Sequence, residues 1–258
     1  VGNDNDSNKA GFDIASWTFR KCRGFFDVVT YTGNGVAGRE IAHSLGSTPG
    51  MVIVKRTNGS DNWTIQHRSL GGTKSLYLNL NSSQDTSSTE WNDTAATSTV
   101  FTVGTSGKTN ANGDTYVAYI FAHDDQSFGT NSNESIIKCG SYTGDGTSSG
   151  NVINVGFEPQ WLLLKNTDQA SQWVLFDYRR GTHTGDSTLQ GDKYLQVNVD
   201  DIEGTYSGVD FRSNGFEPKD AGSWQNSNGN TFIYVAIRRP FKPPTAGSDV
   251  YGAIAYSG

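Results

Sequence analysis

Charge, cysteine and long apolar runs are all scarce in this chain of 258 residues. Charged residues make up 18% of it, against the ~25% usual in soluble domains. The 20 Lys and Arg residues are scattered and the formal net charge is -6, so the basic stripe that neutralises phosphates is missing and nucleic acid is set aside as a partner. No run of ~18 apolar residues occurs, and no basic start leads into an apolar stretch with a cleavage site, so neither membrane insertion nor a retained signal peptide is expected. Cys22 and Cys139 are the only cysteines. Two are too few for a disulfide framework or a four-ligand zinc site, and they read as free thiols. The four histidines, His43, His67, His123 and His183, share no spacing with carboxylates that would make a zinc or nucleophile constellation. The oxygen-rich runs at 3–6 and 143–146 lack the twelve-residue loop with a closing Glu that calcium favours, so no metal and no cofactor is expected.

What is abundant is glycine, 31 residues, which marks a turn-rich chain, and self-similarity, which decides the fold. Gly46, Pro49, Lys55, Thr57 and Trp63 recur as Gly156, Pro159, Lys165, Thr167 and Trp173, each displaced by 110 positions without a gap. Upstream, Tyr31-Thr32-Gly33-Asn34-Gly35 returns as Tyr142-Thr143-Gly144-Asp145-Gly146, and downstream Asn110 to Thr115 returns as Asn226 to Thr231. Two units follow, at 23–125 and 133–243, with a linker at 126–132. Residues 1–22 read as the last strand of a preceding unit plus a linker, because Ala15-Ser16-Trp17-Thr18-Phe19 resembles the closing strand Ala118-Tyr119-Ile120-Phe121. The segment 244–258 reads as leading into a further region, so the chain is expected to be part of a longer protein.

Within the first unit, short runs rich in Val, Ile, Tyr, Phe and Thr predict strands near 26–31, 51–55, 63–67, 75–79, 100–103 and 116–121. Leu76, Leu78 and Leu80, like Leu195, Val197 and Val199, alternate with polar residues and so give a strand one dry and one wet face. Met51-Val52-Ile53-Val54 and Trp161-Leu162-Leu163-Leu164 are apolar on both faces and read as central strands covered from two sides. No stretch carries a convincing helical period. The fold class expected is all-β: two tandem antiparallel β-sandwiches, jelly-roll or lectin-like, arising from an internal duplication.

Trp63 and Trp173 are expected in the core with Pro49, Pro159, Lys55 and Lys165 as the repeat's signature, each lysine keeping its ammonium in water. Trp91 and Trp224 lie in polar stretches and are the candidates for exposed rings, where an indole stacks on a sugar face while neighbouring amides read hydroxyls; the alternative is a ring folded over its own loop. No carboxylate pair of a glycosidase, no nucleophile elbow and no phosphate loop is visible, and no catalytic residue is assigned.

The order Phe25-Phe26-Asp27-Val28-Val29-Thr30-Tyr31-Thr32-Gly33-Asn34-Gly35, then Leu45 through Lys55, resembles a domain of unknown function recurrent in virion proteins of tailed bacteriophages, many of them marine. Trp91-Asn92-Asp93-Thr94, Tyr116-Val117-Ala118-Tyr119 and Tyr234 through Pro240 extend the resemblance from about Ile14 to Val250. It implies a β-sandwich module of a phage particle, in a tail fibre or another appendage, located on the virion and non-enzymatic. Its implied partners are other virion proteins and further copies of itself, as a trimer by analogy. The alternative function is a carbohydrate-binding module that contacts a glycan on the host surface. Unit two departs from the pattern after Gly181.

Overall fold

A computed structural model of the chain describes residues 14–182, 192–206 and 208–239. The run at 3–6, His183, most of the loop after Gly181 and the segment 244–258 lie outside them. The first half builds β1 (Phe26–Thr32), β2 (Arg39–Ala42), β3 (Pro49–Arg56), β4 (Thr64–His67), β5 (Lys74–Tyr77), β6 (Asp85–Thr86), β7 (Val100–Val103) and β8 (Thr115–Ala122). Two single-turn helices, α1 (Ser88–Trp91) and α2 (Gly107–Asn110), flank β7. The second half builds β9 (Ile137–Thr143), β10 (Ile153–Asn154), β11 (Pro159–Asn166), β12 (Val174–Asp177), β13 (Asp192–Gln196), β14 (Gly204–Tyr206), β15 (Val209–Arg212), β16 (Gly215–Pro218) and β17 (Thr231–Arg238). All pairings are antiparallel.

The first six-stranded sheet runs β1-β8-β3-β4-β5-β6 and the second β9-β17-β11-β12-β13-β14. Strand for strand these are the same order. The first half adds a two-stranded sheet, β2-β7, and the second a three-stranded one, β10-β16-β15. Pro49 and Pro159 open the central strands of their sheets, and in each case the register shifts between the proline and the second residue after it. A residue without an N–H is tolerated at such a strand start or bulge.

Pleat alternation shows how the layers stack. On β11, β12 and β17, Leu162, Leu164, Val174, Phe176, Tyr234 and Ala236 pack with Phe211 and Phe216 of the small sheet. The alternate residues Trp161, Leu163, Trp173, Leu175, Ile233, Val235 and Ile237 belong instead to a core shared with Met51, Ile53, Ile65, Leu76 and Phe121 of the first half. The two large sheets therefore lie face to face, each with its small sheet on the far side, in four layers. The all-β, antiparallel, sandwich-like fold read from the sequence is what the structure has. It differs from two sandwiches strung on a linker, because the halves share a core. Residues 14–21 form no strand, and Cys22 makes a single bridge to Phe26. Trp17 and Phe19 pack on the shared core instead of pairing as the end of another sheet.

Candidate functional site

The repeated sequence motifs meet in space. In the first half the loop after β1 is clamped to the turn before β8: Gly33 N–H donates to Asp114 O at 2.7 Å, Gly113 N–H to Gly33 O at 3.0 Å and Gly35 N–H to Asn110 O at 2.7 Å. The second half repeats this with Gly144 N–H to Asn230 O at 2.8 Å, Gly229 N–H to Gly144 O at 2.8 Å and Gly146 N–H to Asn226 O at 2.9 Å. A Cβ on Gly33 would stand 2.0 Å from Ala111 O, and one on Gly144 2.2 Å from Ser227 O, so only glycine fits either position. Fully buried Asn110 and Asn226 complete the clamps. Asn110 donates to Val36 O at 2.9 Å and Gly104 O at 2.8 Å. Asn226 donates to Asp145 Oδ1 and Thr147 O, both at 2.7 Å. The carboxylate at 145 is thus spent on its own loop.

Trp91 is a correction. Its ring is 0% exposed. The segment 87–90 reads Ser-Ser-Thr-Glu, and Ser87 caps the turn: its Oγ accepts from Thr89 N–H, while its own backbone N–H donates to Thr73 O at 3.3 Å. The single helical turn points the indole inward, while Glu90 pairs with Lys108 Nζ at 3.0 Å and Lys108 reaches Tyr77 Oη at 3.1 Å. Burial works against ionisation of Glu90, but hydrogen bonds from Ser87 and Lys108 hold its carboxyl below the ordinary range. Polar flanks here mark a helix turn with its own partners, and the Ser-x-x-Glu spacing was the signal for it.

Trp224 stays half-buried, in a cluster with Tyr194 and Tyr206. Ring centroids lie 5.6 Å apart for Tyr194–Trp224, 6.0 Å for Tyr206–Trp224 and 6.1 Å for Tyr194–Tyr206, with tilted or edge-on planes. Burial and the nearby Asp220 push the Tyr206 hydroxyl well above the usual tyrosine range.

Trp63 and Trp173 do not share one environment, which corrects the expectation of two core indoles. Trp173 is buried at the junction of the halves and its indole N–H donates to Tyr77 O at 2.9 Å. Trp63 is half-buried and stacks on Tyr119 at 6.1 Å and 19°. It lines an open groove of about 450 Å³ with Trp17, Phe19, Phe26, Ile53 and Phe121. The lysines diverge likewise. Lys55 is half-exposed and donates to Gly59 O at 3.2 Å and Asp61 O at 2.6 Å. Lys165 is fully buried, donating to Asn166 O at 2.6 Å and Asn81 O at 3.4 Å, and the loss of solvent pushes its ammonium down to about 8. The expectation that both ammonium groups stay in water fails at Lys165 because the other half covers it.

A larger cleft of about 730 Å³ opens between the 124–138 segment and residues 155–158, 213 and 238–239 of the second half. Its charges are paired: Lys138 with Asp124 at 3.5 Å, Arg239 with Glu158 at 2.8 Å, and Arg238 with Glu134. Among the described residues no group of three or more His, Cys, Asp and Glu side chains is placed to hold a metal ion.

Residues 2–240 match the model of a family described as Domain of unknown function (DUF7483). No curated protein and no solved structure matches the chain.

Proposed function

The chain belongs to the DUF7483 family, and on that footing we propose that it is a non-enzymatic structural protein of a bacteriophage particle, built into a tail fibre or another appendage. The observation that carries this reading is where the repeated residues go. Gly33 and Gly144, Asn110 and Asn226, Trp173 and Lys165 are all spent on clamping loops or joining layers, as suits a rigid building block. Other virion proteins and further copies of the chain are its partners on this reading, and the virion is its location. Mass spectrometry of purified particles, followed by a reconstruction that locates the chain, tests it. The chain's absence from purified particles, or oligosaccharide release from host envelope by the purified protein, would overturn it.

A second reading, contact with a carbohydrate on the host surface, is supported by the half-exposed cluster of Tyr194, Tyr206 and Trp224. Aromatic faces with a few polar neighbours suit sugar rings. Binding to host polysaccharide that Trp224→Ala abolishes would favour it, and no binding by the unmodified chain would remove it. Trp91, enclosed in the core, has no part in this reading.

A further inference from the structure

One part of the junction between the halves is one-sided. A strip of the first half, residues 77–84, supplies it: Trp173 indole N–H donates to Tyr77 O at 2.9 Å and Ser171 N–H to Asn81 O at 2.7 Å. Gln84 N–H donates to Thr167 O at 2.8 Å, and its side-chain amide to Asp168 Oδ1 at 3.0 Å. Under this strip Lys165, Thr167, Ser171 and Trp173 are all buried.

Their counterparts in the first half, 110 positions earlier, have no such cover. Lys55, Asp61 and Trp63 are half-exposed and Thr57 is exposed. The Trp63 indole N–H has no acceptor among the described residues, and the Lys55 ammonium meets only carbonyls.

The strip has a counterpart too. Strand pairing equates Leu76 with Leu195 and Tyr77 with Gln196, and carries the same offset of 119 through β6 and β14. Asn79 and Asn198 confirm the register, since their Oδ1 atoms accept from Trp63 N–H and Trp173 N–H at 2.9 and 2.8 Å. Residues 196–203 therefore correspond to 77–84, and they lie open. Val197 is 39% exposed and Ile202 92%, where the first half has the half-buried Leu78 and Ser83. Exposed Asp200 and Asp201 add negative charge beside them.

Each chain thus carries one uncovered seat and one unseated strip, of the two kinds that meet inside it. We propose that a second copy of this chain docks head to tail, the 196–203 strip of one copy lying over Trp63 and Lys55 of the next. The apolar Val197 and Ile202 meet the aromatic groove, a strip carbonyl takes the Trp63 indole N–H as Tyr77 takes that of Trp173, and Asp200 and Asp201 face the Lys55 ammonium. A contact between two different surfaces propagates: it closes into a ring where the rotation allows and otherwise runs on as a row. The inference holds for the purified chain whether or not it is a particle component.

Sedimentation velocity of the whole chain over a concentration series tests this. The unmodified chain is expected to associate, and Ile202→Asp or Trp63→Ala to weaken association at least about tenfold, as loss of a central apolar anchor does. Lys55→Glu serves as the groove-side variant should Trp63→Ala fail to fold. A mixture of a strip variant with a groove variant retains one intact strip and one intact groove, and is expected to give a capped one-to-one dimer. A chain that stays monomeric up to about 100 µM, where even a weak contact of roughly −5 to −6 kcal/mol is populated, would overturn the proposal. So would variants that associate like the unmodified chain, or a mixture that forms no dimer.

Discussion

Position 63 and its counterpart 173 hold the same side chain with opposite duties. Trp173 fills the space between the large sheets and uses its N–H, so Trp173→Ala is expected to cost about 3–5 kcal/mol in urea denaturation. Trp63 already meets solvent on one side, and its removal is expected to cost less than about 2 kcal/mol, because less of its surface is buried. Equal losses at the two positions would show that the halves bury their indoles alike. His67 gives the same junction a pH dependence. Burial pushes its imidazole down to about 3, although its Nε2–H donates to Tyr234 O at 3.2 Å, and burial likewise takes His123 down to about 4. Both folded values lie below the ~6.5 of an exposed histidine, so on acidification the unfolded chain takes up these protons first. Stability contributed by the two neutral rings is therefore full above about pH 6.5 and is lost as the pH falls towards 4 and then 3, by up to about 1.4 kcal/mol per pH unit for each ring. Gln at position 67 has an amide N–H to offer the Tyr234 carbonyl but does not titrate. The urea midpoint of His67→Gln is expected to fall less steeply between about pH 6.5 and 4.5 than that of the unmodified chain, and parallel curves would rule out His67 as a source of the slope.

Among elements, the strands that announced themselves are those with an apolar face. Runs predicted near 26–31, 51–55, 63–67, 75–79, 100–103 and 116–121 each hold a strand in the first half, but β5 ends at Tyr77 and β13 at Gln196, so Leu80, Val197 and Val199, expected on a dry strand face, are exposed. β2 escaped notice because Ile41 is its only buried side chain, and β6, Asp85–Thr86, because both of its residues are exposed. Patterning reads burial, and a short edge strand held by backbone bonds buries too little to leave a pattern. The clamps were legible as repeated words, Tyr-Thr-Gly and Asn-x-Asn-Gly, but not as partners, because the words stand about 80 residues apart in sequence. The aromatic groove was illegible for a related reason. Trp63 and Trp173 sit at equivalent positions of the repeat, just before β4 and β12, and their different burial comes from what another part of the chain lays over Trp173. Asn110 tests the clamp. Its amide satisfies buried carbonyls that find no substitute in Ala, so Asn110→Ala is expected to lose about 2–4 kcal/mol, more than one ordinary hydrogen bond. An unchanged urea midpoint would mean that the Gly33 and Gly113 backbone bonds hold the loop unaided.

For the whole molecule the decisive observation is that Trp161 to Leu164 and Met51 to Val54 are apolar on both faces. A strand of that kind needs two covers, and a sandwich alone offers one. The second cover of each large sheet is the other large sheet, which joins what the repeat would suggest are separate units. Cooperativity follows from the shared core. Neither half can open without exposing Trp161, Leu163, Trp173 and Leu175, or the Met51, Ile65 and Phe121 they pack on, so the halves are expected to unfold in a single calorimetric transition. The thiols give an independent reading. Cys22 is exposed and Cys139 buried. Cys139 lies at the junction, its Sγ donating to Ala122 O at 3.4 Å, and burial pushes that thiol far above its ordinary range. A thiol reagent is therefore expected to modify Cys22 in the native chain at once and Cys139 only at the global unfolding rate, since a buried thiol with little thiolate reacts when the structure opens. If Cys139 reacts while circular dichroism still reports both halves folded, or if calorimetry resolves two transitions, the large sheets separate as independent bodies and the common core contributes little to holding them together.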